Sequence, residues 1–115
     1  MSPERMFILR RVDLADWHMW WKQKGATGVR RILMETWDPI GVADAPEGAD
    51  EYDSYLGPLG AQLREGATAT AIESYLRHVR ETLMGLDSPS WRPHDRATAQ
   101  RLVDWYAAEM RPPEA

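Results

Sequence analysis

Residues 32–63, ILMETWDPIGVADAPEGADEYDSYLGPLGAQL, carry seven carboxylates (Glu35, Asp38, Asp44, Glu47, Asp50, Glu51 and Asp53) and neither lysine nor arginine. Within them, Asp38-Pro39-Ile40-Gly41 matches the preferences of a type I turn, with Asp first, Pro second and Gly fourth. The residue before a proline is pushed out of the α region, so an incoming helix must stop near Asp38. The Asp38 carboxylate is expected to accept a backbone N–H two residues on. After a loop with Pro46 and Gly48, Asp50 is placed to cap a new helix, with Glu51 and Asp53 where the helix dipole favours negative charge. Tyr52, Tyr55, Leu56, Leu59 and Leu63 then recur at i, i+3, i+4, i+7 and i+11, an apolar stripe on one helix face. Pro58 is expected to kink that helix or restart it at Gly57. Trp37, Asp38, Pro39, Gly41, Asp50, Tyr52, Asp53 and Tyr55 therefore read as a structural motif.

The flanks are helical as well. Asp13 suits the N-cap of a helix reaching about residue 24, where Gly25 is expected to stop it. Leu14, Trp17 and Trp21 share a face of that helix, with Trp20 alongside. Residues 6–12 read equally as a short strand or an earlier helical turn. A second helix is expected from Thr27 or Gly28, carrying Val29, Ile32, Leu33 and Trp37 inward. Downstream, Thr68 or Thr70 opens a helix whose stripe is Ile72, Tyr75, Leu76, Val79 and Leu83, ended at Gly85. Residues 87–94 read as a loop around Trp91. Asp95 is the expected cap of a last helix with Ala99, Leu102, Val103, Tyr106 and Met110 inside, closed by Pro112 and Pro113. The expected architecture is an all-α, single-domain bundle of five or six short helices spanning residues 1–115.

At WDPIGV (residues 37–42), DEYDSY (residues 50–55) and YLRHVRETLMGL (residues 75–86) the chain resembles a family of short, uncharacterised bacterial proteins. Its members carry WDPIGV, then DEYD-x-Y, then a helix opening in YL and closing in MGL. The resemblance spans roughly residues 28–86 and implies a small helical fold, with no established activity to carry over. The Trp-rich residues 1–24 and the loop around Trp91 fall outside it.

Composition narrows the function classes. One modest core suits 115 residues, and with no cysteine there is no disulfide, thiolate nucleophile or cysteine zinc site. The longest apolar run, residues 6–9, is too short to cross a membrane, so a cytoplasmic protein with no membrane partner is expected. The net charge of −4 disfavours unspecific nucleic-acid binding. Charge is unevenly placed: outside the acidic window, fourteen bases face eleven acids.

No GxSxG, Walker A or HExxH motif is present, and His18, His78 and His94 are widely separated. The acidic residues fail the EF-hand pattern, because counting from Asp44 places Pro46 and Gly48 at ligand positions. No catalytic residue, metal site or cofactor is expected. The leading expectation is a non-enzymatic protein-binding module, an immunity-type inhibitor or adaptor, whose acidic surface meets a basic protein. Asp44, Glu47, Asp50 and Glu51 would make that contact, with Trp20 and Trp21 as candidate anchors. Two alternatives stand beside it: a small metal-dependent hydrolase built on Asp38, Asp50 and Asp53, and a self-associating subunit or homodimer joined through the Trp helix. A helix-turn-helix reading with Arg77, Arg80, Arg96 and Arg101 is weakened by the missing basic recognition face.

Overall fold

The computed structural model describes residues 13–39, 41 and 51–111. Among them are four helices and no strand. Helix α1 occupies residues 14–37, in which α-helical Leu14–Trp20 and Ala26–Ile32 alternate with π-helical turns at Trp21–Gly25 and Leu33–Trp37. Helix α2 is Asp53–Arg64, and α3 covers residues 69–83, ending in a π turn at Val79–Leu83. Helix α4 is Arg92–Met110, led in by the 3₁₀ turn Pro89–Trp91.

The all-α class agrees with expectation, but the described helices number four rather than five or six. Gly25 is the reason. It does not end a helix; it is buried in the middle of α1, and the backbone stays right-handed through it (φ −62°, ψ −53°). A Cβ there would lie 2.6 Å from Cε3 of Trp21 and 2.7 Å from Cζ3 of Trp20, so the bare backbone seats two indoles. Gly28 does the same for Trp105, and Gly60 of α2 does it for the far edge of Trp21. Three glycines thus act as flat seats for tryptophan, and the helix penalty of glycine is offset by aromatic packing.

The π turns have a related cause. Trp17, Trp21, Gly25, Val29, Leu33 and Trp37 recur every four residues, and all but Trp21 are buried. In an α-helix each four-residue step overshoots a full turn by about 40°. Over five steps that would carry Trp37 to the far side from Trp17. The wider turns, closed by the Ala26 N–H on the Trp21 carbonyl and the Asp38 N–H on that of Leu33, absorb part of this drift. The π turn ending α3 has the opposite consequence: Leu83, expected inside, is 62% exposed.

Several local signals act as expected. Asp13 caps α1, its Oδ1 accepting the N–H of Ala15 at 2.9 Å. Thr68, not Thr70, caps α3, its hydroxyl accepting the N–H of Ala71 at 3.1 Å. Gly85 takes the left-handed conformation (φ 70°) that lets the Leu86 N–H turn back to the Arg80 carbonyl at 2.8 Å. Pro58 neither stops nor restarts α2, which runs through it uninterrupted. Helix α4 starts three residues before Asp95, with Pro93 tolerated in the first turn.

The core joins Val29, Ile32, Leu33 and Trp37 of α1 to Leu56, Leu59 and Leu63 of α2, Ile72, Leu76 and Val79 of α3, and Ala99 and Leu102 of α4. Each large aliphatic side chain among them contributes about 1.5–3 kcal/mol on full burial. Inside this apolar set lies an ion pair. Arg80 and Asp95 are both fully buried, with Nη2 2.6 Å from Oδ2 and Nε 3.1 Å from Oδ1. Trp37 Nε1 donates to the same Oδ1 at 2.9 Å. Arg80 Nη1 donates to the carbonyls of Leu86 and Ser88, at 2.6 and 3.3 Å. Hydrogen bonding to Asp95 holds the Arg80 pKa above its ordinary value against the opposing effect of burial.

This packing separates the glycines by what surrounds them. Gly57 is exposed but precedes Pro58 within α2, where a Cβ would crowd the proline ring, so Gly57→Ala should leave urea-measured stability within about 1 kcal/mol, the gain in helix propensity being offset by that crowding. Gly28→Ala, whose Cβ would collide with Trp105 Cζ2, should lower it by about 1–3 kcal/mol. For the ion pair, Asp95→Ala should cost about 3–5 kcal/mol by stranding a buried guanidinium. The double variant Arg80→Met, Asp95→Ala should cost less than the sum of the single changes, which a double-mutant cycle measures.

Candidate functional site

Backbone chemistry builds the Trp37–Pro39 corner before any charge is considered. Asp38 ends α1 in the left-handed region (φ 37°, ψ 55°), a conformation aspartate tolerates better than most residues. The Gly41 N–H donates to the Asp38 carbonyl at 3.1 Å, closing the expected four-residue turn. The Asp38 carboxylate accepts the Tyr52 hydroxyl at 2.8 Å, while the N–H two residues on, its expected donor, lies outside the described residues. Tyr52 is fully buried and packs its ring 5.5 Å from that of Trp37. One aspartate therefore ties the end of α1 to the residue that precedes α2.

A second tie runs beside it. Arg30 Nε and Nη2 donate to Asp53 Oδ1 and Oδ2 at 2.8 and 3.0 Å, a bidentate pair at the first turn of α2. Glu35, also in the acidic window, is held by Arg101 Nη2 at 2.8 Å, while Arg101 Nη1 donates to Thr36 Oγ1 at 2.7 Å. The window lacks bases in sequence, but the fold brings bases to it from α1 and α4. Asp38 and Asp53 are engaged by Tyr52 and Arg30, so two carboxylates of the hydrolase alternative already have partners within the chain. No group of three histidine, aspartate or glutamate side chains able to hold a metal occurs among the described residues.

Of the expected contact residues, Glu51 is exposed in the turn just before α2. Asp44, Glu47 and Asp50 lie outside the described residues, as do Pro46, Gly48, Pro112, Pro113 and residues 1–12. Tyr52, not Asp50, occupies the position preceding α2, and it makes no side-chain cap there. Trp20 and Trp21 are half-buried within their own chain. Trp21 stacks on Trp17 with ring centroids 5.3 Å apart and planes 8° from parallel. Trp20 lies 5.8 Å from both Trp105 and Tyr106. Trp17 is buried and donates its Nε1 to the Tyr106 hydroxyl at 2.8 Å, with the Arg64 guanidinium 4.8 Å over its ring. Burial pushes the Tyr106 phenol up, partly offset by that bond from Trp17.

The arginines of the helix-turn-helix reading are engaged within the chain. Arg80 is buried, Arg101 holds Glu35, and Arg77 and Arg96 both approach Glu73, at 3.6 and 3.7 Å. Sequence reasoning missed the Arg80–Asp95 pair, though a signal for it exists. Arg80 continues the apolar phase of Ile72 and Leu76, and Asp95 shares a face with Ala99 and Leu102. Opposite charges on the inner faces of consecutive helices mark a buried pair.

Comparison with protein-family models, curated proteins and solved structures returned no match to this chain. Among the described residues, no helix is long and apolar enough to cross a membrane.

The corner makes a separable prediction. Asp38→Ala loses both the Tyr52 partner and tolerance of the left-handed backbone, and should cost about 1–3 kcal/mol in thermal or urea unfolding. Asp38→Asn keeps an acceptor and that tolerance, and should cost about 1 kcal/mol or less.

Proposed function

We propose that the chain is a cytoplasmic protein-binding module that meets a basic partner protein through the acidic segment between α1 and α2. The observation that carries this reading is the double tie at the segment's base. Asp38 accepts from Tyr52, and Arg30 grips Asp53, so both ends of the segment are fixed on the core. Between those ends the sequence places Asp44, Glu47, Asp50 and Glu51 and no base. Anchoring both ends lowers the entropy lost when such a segment is captured, which favours its use in binding.

The engagement of Asp38 and Asp53 by neighbouring side chains weighs against the hydrolase alternative. Packing of Trp20 and Trp21 against Trp17, Trp105 and Gly60 favours a role for them in the fold over one as partner anchors. An immunity-type inhibitor, as the small size, the acidic character and the absence of catalytic motifs suggest, is the specific form of this reading. Charges at the rim of an interface govern association rate and its salt dependence more than the total affinity.

The test is a pull-down from the source cell followed by calorimetry on the captured protein. Glu47→Lys, Asp50→Lys and Glu51→Lys together should weaken the complex by about tenfold or more, and added salt should weaken the wild-type complex in the same direction. A complex indifferent to both would overturn the proposal.

A further inference from the structure

We propose that two copies of this chain pair through the outer face of α1, antiparallel about a two-fold axis at Met19. Ala15, Met19, Gln23, Thr27, Arg31 and Glu35 repeat every four residues on the side of α1 away from its core row, and all six are exposed. Trp17 and Trp21 lie on the inner side and take no part. Met19 is 60% exposed, one of three large apolar side chains open to solvent among the described residues. The contact around it shares no residue with the acidic segment between α1 and α2.

Charge identifies the occupant. Asp16 precedes Met19 by three residues and Lys22 follows it by three, so they stand about 60° to either side of it and about 4.5 Å before and after it along the axis. Both are exposed, and neither has an ion-pair partner among the described residues. Six positions apart on one helix, they cannot reach each other. A two-fold axis through Met19 exchanges the two places. It carries the second copy's Lys22 to the height and side of Asp16, and the second copy's Asp16 to Lys22, while Met19 meets Met19. The same operation sets Ala15 against Gln23, a small side chain opposite a long one. An acid and a base equidistant from an apolar centre give the self-complementarity that an isologous interface requires.

The register is selective. Moving the axis to Gln23 sets Lys22 against the second copy's Lys24, and moving it to Thr27 sets Lys24 against Arg30, so like charges oppose in both. Contact over about three turns of one helix is smaller than a standard interface, so the dimer forms with a dissociation constant of about 10–100 µM. The two ends of α1 that lead into the acidic segments then lie about 50 Å apart along the helix direction, on opposite sides of the axis.

Sedimentation equilibrium of the intact chain tests this between about 1 µM and 1 mM. The wild type should pass from monomer to dimer over that range. Met19→Glu should raise the dissociation constant by about tenfold or more, and Asp16→Lys alone or Lys22→Asp alone should do the same. Combining the two charge exchanges in one chain should restore the wild-type constant within about threefold. Mixing the Asp16→Lys chain with the Lys22→Asp chain should give a dimer where neither chain alone gives one, because each acid again faces a base. All three positions are exposed, so the fold is not at risk. The proposal is overturned by a wild type still monomeric at about 1 mM, by a dimer indifferent to Met19→Glu, or by failure of the charge exchange to restore association. A chain that stays monomeric alone yet loses a different protein on Met19→Glu would equally overturn it.

Discussion

Arg80, Asp95 and Trp37 form one buried polar knot to which three of the four described helices contribute. A carboxylate and a guanidinium without water carry a desolvation cost that only complete hydrogen bonding offsets. Here Asp95 accepts from Arg80 and from Trp37, and Arg80 also donates to the carbonyls of Leu86 and Ser88. The end of α1, the end of α3, the α3–α4 connection and the start of α4 must therefore arrive together. Apolar contacts tolerate small shifts, but a knot of this kind does not. Its contribution lies in selecting one arrangement of the helices as much as in stabilising it.

Around that knot further polar ties fall at the same end of α1. Asp38 follows Trp37 directly, and its carboxylate holds Tyr52, whose ring lies against the Trp37 indole. The corner that carries the acidic segment is thus only one residue from the buried knot. At the other end of α1, packing is aromatic and almost without charge: Trp17, Trp20, Trp21 and Trp105 lean on one another and on glycine. One long helix links two kinds of adhesion, a polar joint and an indole seam.

What the sequence disclosed follows from range. The turn at residues 38–41, the caps at Asp13 and Thr68 and the stop at Gly85 rest on contacts within a few residues, and each was legible. The stripe Ile72, Leu76, Val79 was legible because a helix repeats its face locally. Gly25 misled, since glycine resembles a helix stop until the indoles that need its bare backbone are known. Asp95 resembled a cap because its partners lie 15 and 58 residues away. The base-free appearance of residues 32–63 had the same origin: Arg30 sits just outside the window, and Arg101 reaches it only through the fold.

The four-residue rhythm of α1 has a consequence for how such a chain can diverge. Side chains along the helix can be exchanged singly, provided that small residues stay beneath the indoles. The residue count between Trp17 and Trp37 cannot be altered so freely. Adding or removing one position would swing one half of the helix by about 100° relative to the other. Either the indole seam or the polar joint would then face solvent. Helix α1 is a ruler whose length is set by what stands at its two ends.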